Sequence, residues 1–181
     1  MALAVDCAAS EFYDRGTYYL DGKHQTPSEL TQYYADLHAE YRFVSIEDPF
    51  HEESFTDFAA LTDRLHGKAQ VVGDDLTVTA PDRILRARES CSALLVKVNQ
   101  IGTLTEALRA AKTAESLGWN VMVSHRSGET EDAFISDLAT ALACGQIKLG
   151  APARGERTAK YNQLLRIEEA GVKLKPFSLP H

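Results

Sequence analysis

Six short apolar runs punctuate the chain, and each ends in one charged or imidazole side chain. Residues 2–5 end at Asp6, 43–46 at Glu47, 71–73 at Asp74, 93–96 at Lys97, 121–124 at His125 and 146–147 at Lys148. Most of the intervening stretches place apolar residues at three- and four-residue steps, the spacing of a helix with one buried face. Alternation of strand, polar tip and helix predicts a parallel sheet whose strand C-termini share one face, where such folds keep their chemistry. The predicted strands are about 2–6, 43–47, 69–74, 93–98, 120–124 and 146–148.

The helical stretches are legible from their ends. Thr26, Pro27 and Glu29 form an N-cap, a first-turn proline and a capping box, followed by Leu30, Tyr33, Tyr34, Leu37 and Tyr41. Further faces are Phe55, Phe58, Leu61 and Leu65; then Leu104, Leu108, Ala111 and Leu117; then Phe134, Leu138 and Leu142; and last Tyr161, Leu164, Leu165 and Ile167. All read as packing faces against the sheet. Residues 13–18 read as a small hairpin or glycine turn, and the tail 172–181 as a loose end beyond one domain, 1–171. Six consecutive βα units make either an open sheet or an incomplete eight-stranded TIM-type barrel. The strand tips lie 23 to 41 residues apart, and this spacing favours the barrel.

Composition narrows the class. With 44% hydrophobic and 25% charged residues the chain reads as an ordinary globular protein, and a net charge of −7 argues against nucleic acid as a partner. Cys7, Cys91 and Cys144 form an odd, widely spaced set, which suits reduced thiols in a cytoplasmic protein. Residues 2–5 are too short for a signal segment, and no run reaches membrane-spanning length.

Asp6, Glu47 and Asp74 end three successive strands, so their carboxylates can converge on one cation. Oxygen-only ligation suits a hard ion such as Mg²⁺. Period-two alternation sends only one of Asp74 and Asp75 toward the barrel axis, and the other is free to pair with a neighbouring lysine. Lys97 ends an almost wholly apolar strand. A lysine there either pairs with a carboxylate or, as a desolvated neutral amine, serves as a general base. The segment 124–132, with Ser124, His125, Arg126, Ser127 and Thr130, offers hydroxyls, a guanidinium and backbone amides at a helix start, as a phosphate group requires. Lys148 adds a cation that could clamp a carboxylate.

Several strings carry more than generic physics. Residues 6–13 (DCAASEFY), 45–50 (SIEDPF), 73–79 (GDDLTVT), 97–104 (KVNQIGTL), 124–132 (SHRSGETED) and 160–169 (KYNQLLRIEE) resemble the enolase family, in the family's own order. The resemblance implies that Asp6, Glu47 and Asp74 hold Mg²⁺ and that Lys97 removes the proton α to the substrate carboxylate. It implies that His125, Arg126 and Ser127 contact the phosphate and that Lys148 contacts the carboxylate. The implied reaction is dehydration of 2-phosphoglycerate to phosphoenolpyruvate. The family's N-terminal capping domain, its first two barrel strands and the glutamate acting as general acid have no counterpart in these residues. The 181 residues alone are therefore expected to be inactive or severely impaired and to self-associate or accept a complementing N-terminal half. The competing reading is a non-catalytic remnant that only folds or binds. Gly155 stands where the family usually has serine, and the tail after Ala170 departs from the pattern.

Overall fold

The computed structural model describes residues 2–178, so the last three residues of the expected tail lie outside it. Six parallel strands, β1 (Ala4–Asp6), β5 (Ser45–Glu47), β6 (Gln70–Gly73), β7 (Ala93–Val96), β8 (Asn120–Ser124) and β9 (Ile147–Lys148), lie side by side in chain order. Asp6 is the register partner of Glu47, and Ser124 that of Lys148, so the polar tips line one rim. The sheet is curled. Gln70 at the start of β6 donates from Nε2 to Gln146 just before β9 at 2.7 Å. Strands three places apart in a flat sheet are about 14 Å apart, too far for two glutamines to meet. This is the incomplete (β/α) barrel that the spacing predicts, with β1 and β9 as its two edges.

Alternation along the strands separates two packing layers. Ile46, Val71, Leu94, Val96, Val121 and Val123 face the helices and join the main core, whereas Val72, Ala93, Leu95 and Met122 form a small cluster on the concave side. The helices are α1 (Pro27–Tyr41), α2 (Phe55–Leu65), α3 (Pro81–Arg86), α4 (Val98–Ile101), α5 (Leu104–Ser116), α6 (Phe134–Ala141) and α7 (Gly155–Glu169). The capping box at Thr26 and Glu29 is formed as expected. No helix among the described residues is long and apolar enough to cross a membrane.

Four local expectations need correction. Residues 13–25 form a three-stranded antiparallel meander, β2 (Tyr13–Asp14), β3 (Thr17–Leu20) and β4 (Lys23–Gln25), larger than a single hairpin. Its buried Tyr18 packs edge-on against Phe50, which gives the third strand a core to cover. On α5 the buried stripe is Ala107, Ala110, Ala111 and Ala114, while Leu104 is exposed; small side chains let this helix lie close to the sheet. On α6, Phe134 is exposed and Leu138 buried. On α7 the apolar face is only half-buried at Tyr161, Leu164 and Ile167, Leu165 is 55% exposed, and Lys160 is the helix's one fully buried residue. The tail has no helix or strand over 172–178, but it is laid against the sheet. Asn120 Nδ2 donates to the Ser178 carbonyl at 2.9 Å, and Phe177 lines the cleft between the β1 and β9 edges.

Candidate active site

Every strand tip singled out by the pattern reaches the same rim. Lys148 Nζ donates to Asp6 Oδ2 at 2.8 Å and to Glu47 Oε1 at 2.7 Å, joining the last strand to the first two. Lys97 Nζ donates to Asp74 Oδ2. Two ammonium groups therefore compensate three carboxylates, and the residual charge is negative. Burial pushes the Glu47 carboxyl up to about 7, against the opposing pull of Lys148.

The pairing alternative for Asp75 is not realised: Lys97 takes Asp74, and Asp75 is exposed. The Asp75 amide instead donates to Asp48 Oδ2 at 2.8 Å, beside the Asp74 amide on Asp48 Oδ1 at 2.9 Å. Asp48 is thus a buried brace that holds the turn after β6 to the turn after β5. Burial raises its carboxyl to about 8, although both amide bonds pull it down. Among the described residues, Asp48, Asp74 and Asp75 offer carboxylate oxygens all within 4.8 Å of one another. Asp48 already spends both oxygens on amides. Asp74 Oδ1, by contrast, is buried and has no hydrogen-bond partner. Asp6 and Glu47 are not part of that group, their carboxylates being tied to Lys148; of the predicted ligands it is Asp74, with its orphaned oxygen, that fits a hard divalent cation.

Backbone strain collects at the same rim. Asp48, Val78 and Thr79 have φ of 41°, 43° and 55°, and two adjacent β-branched residues in the left-handed region cost about 1–3 kcal/mol each. Side-chain bonds offset that cost. Thr77 Oγ1 donates to the Gly73 carbonyl at 2.9 Å, and Thr79 Oγ1 accepts the Lys97 amide at 3.0 Å. Gly73 makes room for this turn, because a Cβ there would lie 2.8 Å from Thr77 Cγ2. Thr79 thereby fixes the backbone from which Lys97 projects.

The segment after β8 is organised from α7. His125 donates its amide to the Lys148 carbonyl at 2.9 Å. Its Nδ1 lies 2.8 Å from Arg157 Nη1; a guanidinium has no acceptor, so Nδ1 accepts and a neutral ring carries its proton on Nε2. Burial, then the Arg157 charge, lower the His125 pKa. Arg126 Nη1 reaches Asn99 Oδ1 at 3.3 Å, and Ser127 is exposed at the loop tip. Arg157 also covers Gly150, where a Cβ would lie 2.3 Å from its Nη1. Gly155 faces Glu131, whose Oε1 would be 2.8 Å from an added Cβ.

Sequence reasoning missed Asp48, Thr79, Arg157 and Lys160 as parts of this site. The first two stand beside predicted residues in the strings 45–50 and 73–79, and an acid just before Pro49 in an apolar run was the available signal for Asp48. Lys160 opens the string 160–169 but carries no local sign of its role, and neither does Arg157, because their partners come from another βα unit. Cys7, beside Asp6, is no reactive thiol: burial pushes it up to about 12.

Comparison with known proteins places these residues in context. The family described as "Enolase, C-terminal TIM barrel domain" matches residues 1–177. The chain is 61% identical over 173 residues to the enolase of Methanopyrus kandleri, covering 93% of this chain and 40% of that protein. It is 58% identical over 182 residues to the enolase of Thermococcus gammatolerans (97% and 42%) and 59% over 171 to that of Methanocaldococcus jannaschii (93% and 40%). The chain thus spans about two fifths of the length of the curated relatives it matches.

Proposed function

The chain belongs to the enolase family, and from that premise we propose that its rim is the Mg²⁺ and substrate site of a 2-phosphoglycerate dehydration. The observation that carries this reading is the buried, unpartnered Asp74 Oδ1 beside Lys97, on the rim where Lys148 bridges Asp6 and Glu47. Asp6, Glu47 and Asp74 would hold the cation. Held there, the cation would supply positive charge to offset the negative charge that the substrate carboxylate gains on loss of the α-proton. Lys97, as the free amine, accepts that proton. Lys148 holds the substrate carboxylate, and His125, Arg126 and Ser127 hold the phosphate. The setting is the cytoplasm, and residues 1–171 form the working segment with 172–181 as a tail.

Calorimetric titration of 2-phosphoglycerate in the presence of Mg²⁺ tests the assignment. The wild-type chain is expected to give a weak, Mg²⁺-dependent heat that Asp74→Ala abolishes, because the site loses the ligand left free in the fold. Equal heats from both proteins would remove Asp74 from the site.

A second reading, a folded module without turnover, is favoured by the two edges. β1 is exposed along all three residues, and Leu3 and Val5 are 51% and 41% exposed. Unpaired parallel edges of this kind invite further strands, from a second copy or from a polypeptide equivalent to the preceding part of the family chain. Sedimentation velocity is expected to show species heavier than the monomer that grow with concentration. A single monomeric boundary at every concentration would show that the tail over the β1–β9 cleft is cover enough.

A further inference from the structure

Helix α7 is attached in an unusual way. A surface helix normally docks through an apolar stripe, yet here the buried residue is a lysine, 1% exposed. All three protons of its ammonium are used. Lys160 Nζ donates to Glu129 Oε2 at 2.7 Å, to the Thr130 carbonyl at 2.5 Å and to the Glu156 carbonyl at 2.6 Å. The other Glu129 oxygen, Oε1, accepts the Arg126 amide at 2.8 Å. A continuous path thus runs from α7 through one carboxylate to the backbone of the 125–131 loop. Behind it, Ser136 Oγ on α6 donates to the Lys160 carbonyl at 3.0 Å. The neighbouring positions on the same helix face act alike: Arg157 holds His125, and Tyr161 donates its hydroxyl to the Gly150 carbonyl at 2.5 Å. Residues 157, 160 and 161, at helical spacing, seat the loops after β8 and β9 together.

Removing an ammonium from water costs several kcal/mol (order of magnitude), and an apolar residue of similar volume is often neutral or stabilising in its place. Global stability alone therefore does not call for a lysine here. Loop geometry does, since no apolar side chain can hold Glu129 in the orientation that fixes the Arg126 amide. We propose that Lys160 is a positioning residue for anion binding: through Glu129 it sets the backbone of the 125–131 loop, and so couples the seating of α7 to the affinity of the phosphate subsite. This inference rests on the reading of His125, Arg126 and Ser127 as that subsite.

The test compares the full 181-residue chain with Lys160→Met and with the double variant Lys160→Met/Glu129→Gln. The second leaves no uncompensated buried carboxylate and guards against simple misfolding. Amide exchange is followed by NMR, and 2-phosphoglycerate binding with Mg²⁺ is titrated on the same samples. Both variants are expected to keep the slow exchange of β7 and β8, to expose the Arg126 amide, and to bind about tenfold more weakly, within the usual range of coupling between sites. Bound 2-phosphoglycerate should slow exchange along α7 in the wild type and lose that effect in both variants. An unchanged Arg126 amide, or a freed amide with unchanged affinity, would overturn the positioning role. A wild-type chain that binds no 2-phosphoglycerate would instead overturn the substrate reading on which the role depends.

Discussion

Lys97→Ala is expected to abolish exchange of the 2-phosphoglycerate α-proton with D₂O, a loss of about 10²–10⁴-fold, the range typical of a positioned general base. The wild-type chain should show this exchange slowly by NMR in the presence of Mg²⁺, while phosphoenolpyruvate absorbance stays flat. In the proposed reaction proton removal would call on Lys97 and the charge around Asp74, and the two side chains are paired on the rim. Loss of hydroxide calls in addition on a proton donor and on a closed, dry site, and the rim formed by these residues is open between β1 and β9. Exchange that survives in Lys97→Ala would transfer the base to another group. Full turnover by the wild-type chain would show that a residue such as His51 or Glu52, in the loop after Pro49, supplies the proton to the leaving hydroxide.

Phe50→Ala is expected to destabilise the chain by about 3–5 kcal/mol, the usual cost of truncating a buried aromatic residue. Phe50 is fully buried, with ring centroids 5.9 Å from Tyr18, 5.9 Å from Tyr34 and 5.8 Å from Phe58. It therefore ties the meander, α1 and α2 to the segment that carries Asp48. Against a total stability of about 5–15 kcal/mol, a loss of this size should leave a sizeable unfolded fraction and lower the urea midpoint sharply. Phe50→Leu should recover more than half of the loss, because it restores most of the volume. A midpoint within experimental error of the wild type would mean that the three remaining rings repack around the gap.

The parts of the site that were legible share one property: each is decided within a few residues of itself. Glu47 and Asp74 end apolar runs, and alternation sets which side of the sheet they face. The capping box at Thr26 involves residues three apart. The helical stripe on α2 is likewise correct, with Phe58, Leu61 and Leu65 all buried. The same local reasoning was only partly right on α7, because Leu164 and Ile167 are half-buried beside α6 while Leu165, on the same periodic stripe, has nothing opposite it and is exposed. Periodicity reports which residues share a face. It does not report what lies opposite.

The sequence by itself therefore determined the six-strand βα order, the shared rim and the identity of its charged tips, since these follow from period-two and period-3.6 patterning. Only the tertiary structure decided how the charges are apportioned. Lys148 meets Asp6 across 142 positions of chain, and that contact exists because the sheet curls until its last strand faces its first two. The same holds for Asp48 against the Asp74 and Asp75 amides, and for Lys160 against Glu129. Each is a polar contact between different βα units, and its energy depends on burial and on a distance of under 3 Å, which emerge only once those units have packed.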